Sequence, residues 1–294
     1  MRETILKTIL KDRPKGDLAS FSKTETKISC IFVFYGRYGL MNQILHNLNS
    51  QDFTKNSFEV VLVEDRGGSE TGAGLKGRFP ALDIQYYAPG EGWGKMGFMR
   101  NYGLSKAKGE ISLFLDDDTV ILDPNFLKTL AELFDAHPEC SAVMAHGQAS
   151  YALINGRYDF HDPYFFTNRC MAYRKTCLEE LNGFDSNFVG QEDVELAIRF
   201  ISGGYQSLKS EHLQYYHPPL ICENSNKARA VGASFAASKY SGIMKWMLFL
   251  NGIRWLPLYI SPALKHRFMA RFALGFLKGF IRCYVTKENS VNYQ

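Results

Sequence analysis

Near-continuous apolar runs alternate along this chain with stretches whose apolar residues recur every three or four positions. Residues 27–34, KISCIFVF, are rich in β-branched and aromatic side chains, as expected of a strand covered on both faces. Leu40, Ile44, Leu45 and Leu48 then recur at helical spacing and predict a helix ending near Ser50. Residues 58–64, FEVVLVE, are a second buried strand, which completes a βαβ unit. The same pattern predicts a strand over residues 83–87, a helix over 97–107 and strands over 111–115 and 141–145. Between the last two, Asp123-Pro124 reads as an N-cap followed by a first-turn proline, with Leu127, Leu130, Leu133 and Phe134 on the buried face of the helix. Residues 158–173 are dense in aromatics without either period and read as irregular. Val194, Leu196, Ala197, Ile198 and Phe200 suit a helix that starts near Glu192 and stops at Gly203-Gly204, and residues 213–216 are strand-like.

These elements define an α/β domain over residues 27–220. Residues 1–26 precede it as an extension in which Ile5, Leu6, Ile9 and Leu10 line one face of a short helix. Residues 221–294 form a helical region of different composition. Helices over 239–250 and 262–284 flank the proline-broken segment RWLPLYISP there. In the second helix, Arg267, Arg271, Lys278 and Arg282 share a narrow arc, and Phe268, Phe272, Phe276, Leu277, Phe280 and Ile281 occupy the other side. This amphipathic pattern predicts a helix lying in a membrane interface, its basic arc on anionic headgroups; the alternative is a helical cap packed on the α/β domain.

Charge sharpens that division. Residues 221–294 hold eleven Lys and Arg against two acids, roughly +9 of a total of +4, leaving roughly −5 for the first 220 residues. An acidic main body argues against a nucleic-acid binder. Six cysteines without a CxxC pair or finger spacing read as reduced cytosolic thiols, and the N-terminus lacks the pattern of a signal peptide. The expected location is cytoplasmic, peripheral at the inner face of the membrane.

Candidate chemistry gathers in two acidic clusters. Asp116, Asp117 and Asp118 follow the strand at 111–115. Three adjacent carboxylates repel one another and call for a cation, and hard oxygen donors suit Mg²⁺ or Mn²⁺. On extended backbone Asp116 and Asp118 point one way and Asp117 the other. The second cluster is Glu192 and Asp193 in a helix's first turn, where the positive helix end keeps a carboxylate ionised and able to accept a proton; first-turn acids are also ordinary helix stabilisers. His217 is either a metal ligand or a structural residue before Pro218. Asp65, beyond a parallel strand, either reads a nucleotide or sugar hydroxyl or caps its turn. Arg100, after a glycine-rich loop, either contacts an anionic ligand or pairs with a surface carboxylate. Phe160, Tyr164, Phe165 and Phe166 either stack on a sugar or pack a core.

The order of these motifs resembles a family 2 glycosyltransferase: Glu64-Asp65 before Gly67-Gly68-Ser69, then Arg100-Asn101, FLDDDT, Gly183-Phe184-Asp185, Glu192-Asp193 with Leu196 and Arg199, and His217. The resemblance runs from about residue 27 to 217 and implies a GT-A fold, a mixed, mostly parallel sheet flanked by helices. It implies an inverting transfer of sugar from a nucleotide-diphosphate donor, with UDP-sugars favoured, to a glycan or lipid-linked glycan. It also implies that Asp65 and Arg100 contact the nucleotide-sugar with Asp116 and Asp117, that Asp118, Asp116 and His217 hold Mn²⁺ or Mg²⁺, and that Asp193 beside Glu192 is the base. Two departures from the family's pattern are Arg66 and the strand end FVFYGRY. Rival readings are a haloacid-dehalogenase-like phosphatase using DDDTV, a nucleotidyltransferase, and a non-catalytic nucleotide-sugar-binding protein at a membrane.

Overall fold

The computed structural model describes residues 14–147, 152–154, 157–160, 166–218 and 225–287. Its elements in order are β1 (Thr26–Phe34), α1 (Tyr38–Asn49), β2 (Phe58–Glu64), α2 (Glu70–Arg78), β3 (Ile84–Tyr87), α3 (Met96–Lys106), β4 (Gly109–Asp116) and α4 (Phe126–Ala136). There follow β5 (Cys140–Gly147), β6 (Ala152–Ile154), β7 (Arg157–Phe160), β8 (Cys170–Arg174), α5 (Lys175–Leu181), α6 (Glu192–Gly203) and β9 (Gln206–Tyr215). The chain closes on α7 (Ser225–Ala237), α8 (Gly242–Ile253) and α9 (Leu264–Thr286). The principal sheet has seven strands in the order β3-β2-β1-β4-β8-β5-β9, and β6 pairs with β7 as a separate ribbon.

All strand pairs of the principal sheet are parallel except the two that β8 makes with β4 and β5. Successive side chains of β1 feed two cores. Cys30 and Phe32 pack with Met41, Leu45, Leu127 and Leu130 on one face. Ile31 and Val33 pack with Met99, Leu104, Leu178 and Leu196 on the other. Burial on both faces is why these strands read as unbroken apolar runs. Parallel neighbours also set the site: β1 pairs with β2 on one side and β4 on the other, in a register that puts Val33 opposite Asp116. The crevice beyond β1 and β4 is therefore the point where strand order reverses, the usual ligand position in such sheets.

Two local expectations are revised. Segment 170–174 is not irregular but is the antiparallel strand β8, with Cys170, Met171, Ala172 and Tyr173 all buried. Helix α4 starts at Phe126 with Asn125 at its N-cap, because Asp123 closes a turn ahead of it by accepting the Asn125 amide at 2.8 Å. Segment 14–25 packs on the domain. The Gly16 amide donates to the Leu181 carbonyl at 3.0 Å, Leu18 is buried, and the Lys175 ammonium donates to the Ser22 carbonyl. The helix expected around Ile5, Leu6, Ile9 and Leu10 lies outside the described residues, as do Tyr164 and Phe165. Phe166 packs on Tyr173 and Phe200 in the core, and the five described cysteines are all free and buried.

The C-terminal helices brace α6. Val231, Phe235, Tyr240, Met244, Phe280 and Cys283 form one cluster with Phe188, joined by Val194 and Ile198 of α6. Tyr240 donates to the Glu195 carboxylate at 3.0 Å. α7 and α9 cross at glycines: a Cβ on Gly232 would fall 1.9 Å from the Phe276 carbonyl oxygen, and one on Gly279 2.0 Å from that of Arg229. Phe276, Leu277 and Phe280 of α9 thus face protein, as a helical cap requires, while Ile281 of the same apolar side is 49% exposed. Among the described residues, no helix is long and apolar enough to cross a membrane.

Candidate active site

β4 delivers Asp116 as its last residue, and the chain turns at once, the Thr119 amide donating to the Asp116 carbonyl at 3.0 Å. The turn, not strand alternation, sets where the three carboxylates point. Asp116 and Asp118 both reach His217, whose Nε2 lies 3.8 Å from Asp116 Oδ2 and 3.0 Å from Asp118 Oδ1. His217 is brought there by the bridge between Val120 and Tyr216, each amide donating to the other's carbonyl at 2.8 Å. Asp117 and Asp118 instead share Arg37, whose Nη1 is 2.7 Å from Asp117 Oδ1 and 2.5 Å from Asp118 Oδ2. Arg37 follows β1 at the switch point and was not singled out from the sequence. Its signal was there in FVFYGRY, one of the departures from the family's pattern. The other departure, Arg66, has φ 63° and its guanidinium stands 4.7 Å from the Tyr35 ring centre.

Burial and charge separate the members of the triplet. Burial, with Asp118 and Asp116 adding repulsion against the pull of Arg37, pushes the Asp117 carboxyl up to about 6. Burial also opposes the Asp118 charge, but His217 and Arg37 outweigh it and hold that carboxyl below its ordinary value. Oxygen and imidazole donors of Asp116, Asp118 and His217 lie within 4.8 Å of one another. With Asp118 kept ionised, these residues fit a divalent cation of the Mn²⁺ or Mg²⁺ class.

Arg100 pairs with carboxylates on two elements and keeps its Nη1 without a hydrogen-bond partner. It is buried in α3 and joins the two acidic clusters, its Nη2 2.7 Å from Asp116 Oδ1 and its Nε 2.6 Å from Glu192 Oε1. Burial opposes its charge, yet Glu192, Asp116 and Asp193 hold its pKa above the ordinary arginine value. Burial pushes the Glu192 carboxyl up to about 7 in spite of Arg100. The next residue on α3, Asn101, donates to the Phe184 carbonyl at 2.9 Å and accepts the Phe184 amide at 2.8 Å, so it ties down the Gly183-Phe184-Asp185 motif. Arg199 fixes α6 from beneath: it pairs with Glu195 at 2.7 Å and donates to the Leu181 and Gly183 carbonyls at 2.8 Å each.

Asp193 is positioned by groups that sequence reasoning missed. Its Oδ2 accepts from Thr167 Oγ1 at 2.7 Å and the Asn168 amide at 3.2 Å, while Oδ1 accepts the Val194 amide at 2.8 Å. Thr167 and Asn168 precede β8, so the undetected strand hid them. Asp65 stands apart from this chain of contacts. Its carboxylate accepts the Arg66 amide at 2.8 Å and the Gly94 amide at 3.1 Å, closing the turn after β2 onto the glycine-rich loop. Glu64 beside it accepts hydroxyls from Tyr38 and Tyr86 at 2.7 Å each and from Ser69 at 3.0 Å.

This sheet order, with acids at the end of its central strand, is the GT-A arrangement. The chain superposes on the mannosyltransferase PcManGT of Pyrobaculum calidifontis, solved with GDP-Man and Mn²⁺, at a TM-score of 0.60 and 15% identity over 98% of this chain and 94% of that one. It superposes on Staphylococcus aureus TarS 1-349 with UDP-GlcNAc at a TM-score of 0.57 and 19% identity, over 87% of this chain and 82% of that one. The model of the family Glycosyl transferase family 2 matches residues 29–182, and the protein belongs to that family. In sequence, 111 residues are 32% identical to the poly(ribitol-phosphate) β-N-acetylglucosaminyltransferase TarS of S. aureus, covering 38% of this chain and 19% of that protein. The O-antigen chain rhamnosyltransferase RfbN of Salmonella typhimurium is 24% identical over 131 residues, 37% of this chain and 42% of that one. The chain thus matches less than half the length of each of these two relatives.

Proposed function

We propose that this protein moves a sugar from a nucleoside-diphosphate donor to a hydroxyl of a glycan or lipid-linked glycan, with inversion, in a reaction that depends on Mn²⁺ or Mg²⁺. The observation that carries the reading is Arg100, which holds the cation-suited triplet and the Glu192-Asp193 helix end in one connected site. A bound divalent cation would neutralise charge developing on the leaving diphosphate. Asp118, Asp116 and His217 would hold it, and Arg37 would add positive charge at the same rim. Asp193, fixed by Thr167 and Asn168, would accept the acceptor's proton as its oxygen attacks the anomeric carbon. Asp65 would read the nucleotide from the end of β2.

UDP-sugars are the proposed donors, supported by the UDP-GlcNAc and UDP complexes of TarS, while the GDP-Man complex of PcManGT makes a GDP-sugar the alternative. The phosphatase reading loses support because Asp116, its nucleophile, is tied to Arg100 in a chain of this family. The test is transfer from a panel of nucleotide sugars with Mn²⁺, repeated with Asp193→Asn. We expect transfer to fall by about 10²- to 10⁴-fold while the donor with Mn²⁺ still raises the melting temperature. Full transfer activity in the variant would rule out Asp193 as the base.

A further inference from the structure

From residue 224 to 287 the chain carries eleven Lys and Arg and no Asp or Glu. Within that stretch α8 exposes Ile243 at 67%, Trp246 at 64%, Leu250 at 53% and Ile253 at 39%. Their spacing of three, four and three places them in an arc of about 80° on the helix. The opposite side of α8 does the packing: Met244 is buried with Phe280 and Cys283, and the backbone at Gly252 approaches Leu277. The exposed line runs on into the turn Leu256–Ile260, where Tyr259 is 50% and Ile260 91% exposed. Scattered apolar side chains are ordinary on a surface, but a continuous helical line of them marks a contact face.

Charge selects what this face contacts. Arg254 lies at the border of the line on the helical wheel, with its guanidinium 5.0 Å from the Trp255 ring centre. With no acid anywhere in the segment, a symmetric pairing of two copies through α8 would set like charges against each other. A bilayer with anionic headgroups meets both halves of the pattern. Positive charge meets the headgroups, and Trp and Tyr beside aliphatic side chains suit the boundary below them. We propose that the outer face of α8 and the turn after it dock this protein on an anionic lipid bilayer, with Ile243, Trp246, Leu250, Ile253 and Ile260 entering the headgroup boundary. The docking element is thus α8, while Leu277 and Phe280 of α9 are buried in the protein's own core. The face lies outside the transfer site, so its test is independent of the proposed chemistry.

The full chain is sedimented with vesicles of phosphatidylcholine alone and of phosphatidylcholine mixed with phosphatidylglycerol. We expect recovery with the anionic vesicles and little with the neutral ones. The triple variant Ile243→Ser, Trp246→Ser, Leu250→Ser should partition at least about tenfold more weakly. Ile260→Glu, at the most exposed of these positions, should weaken binding in the same direction, so the outcome does not rest on one variant's folding. Trp246→Phe should keep binding but show a smaller blue shift of tryptophan emission on anionic vesicles, the remainder coming from Trp93 and Trp255. The proposal is overturned if the triple variant and Ile260→Glu partition like the unmodified chain, or if the unmodified chain ignores anionic vesicles. It is equally overturned if the chain is a dimer that the triple variant converts to monomer, which would give the face to a second copy.

Discussion

With one terminal nitrogen bridging Asp117 and Asp118 and its side chain about half exposed, Arg37 neutralises two of the three carboxylates from a position that it can leave. Exposed ion pairs contribute about 0–1 kcal/mol each, so its two pairs should weaken binding of a bare cation by up to about thirtyfold. Arg37→Gln is therefore expected to bind Mn²⁺ more tightly in the absence of nucleotide, measured by titration calorimetry. Unchanged affinity would show that the guanidinium does not screen the site. Arg100 differs in burial, and so does its partner. The Glu192 pKa is raised to about 7 from an ordinary 4.5, so the folded state holds a proton that the unfolded chain has released between those values. Its contribution to stability is complete below about pH 4.5 and is lost as pH rises through about 7. Relative to Glu192→Gln, the unmodified protein should lose on the order of 2–3 kcal/mol between about pH 5 and 8, read from urea unfolding. A difference that stays flat with pH would mean that Arg100 keeps Glu192 ionised throughout.

At the scale of elements, α7, α8 and α9 form a brace behind the helix that carries Glu192 and Asp193. The close approach of α7 and α9 at Gly232 leaves no room for a side chain. Gly232→Leu should destabilise the protein by about 1–3 kcal/mol through overpacking, with α6 loosened and transfer activity falling with it. A chemical-denaturation midpoint equal to that of the unmodified chain would show that the crossing yields without cost. Elements marked by an unbroken β-branched apolar run or by helical spacing were legible in the sequence: β1, β2, α1 and α3 fall within a residue or two of expectation. β8 was not, because its five residues, CMAYR, hold no β-branched side chain and lie at the end of an aromatic-dense stretch. The start of α4 was misplaced for a different reason, since an aspartate before proline serves a turn as well as it serves a cap.

On the scale of the whole molecule, the site exists because sheet order reverses between β1 and β4, bringing the Tyr35-Gly36-Arg37 turn to the acidic triplet. Six acids and bases from five separate parts of the chain converge there: Arg37, Arg100, Asp116, Asp118, Glu192 and His217. The sequence by itself determined the α/β class, the membership of the two acidic clusters and the basic, acid-poor end of the chain. These follow from local period and composition, which are written in neighbouring residues. Only the tertiary structure decided that Arg100 is an internal tie, that Arg37 guards the triplet, and that Leu277 and Phe280 of α9 are core while the line from Ile243 to Ile253 of α8 is surface. Each of those depends on which distant segment lies opposite a side chain, and the same amphipathic pattern serves a helix packed on protein or one resting on lipid until its neighbours are in place.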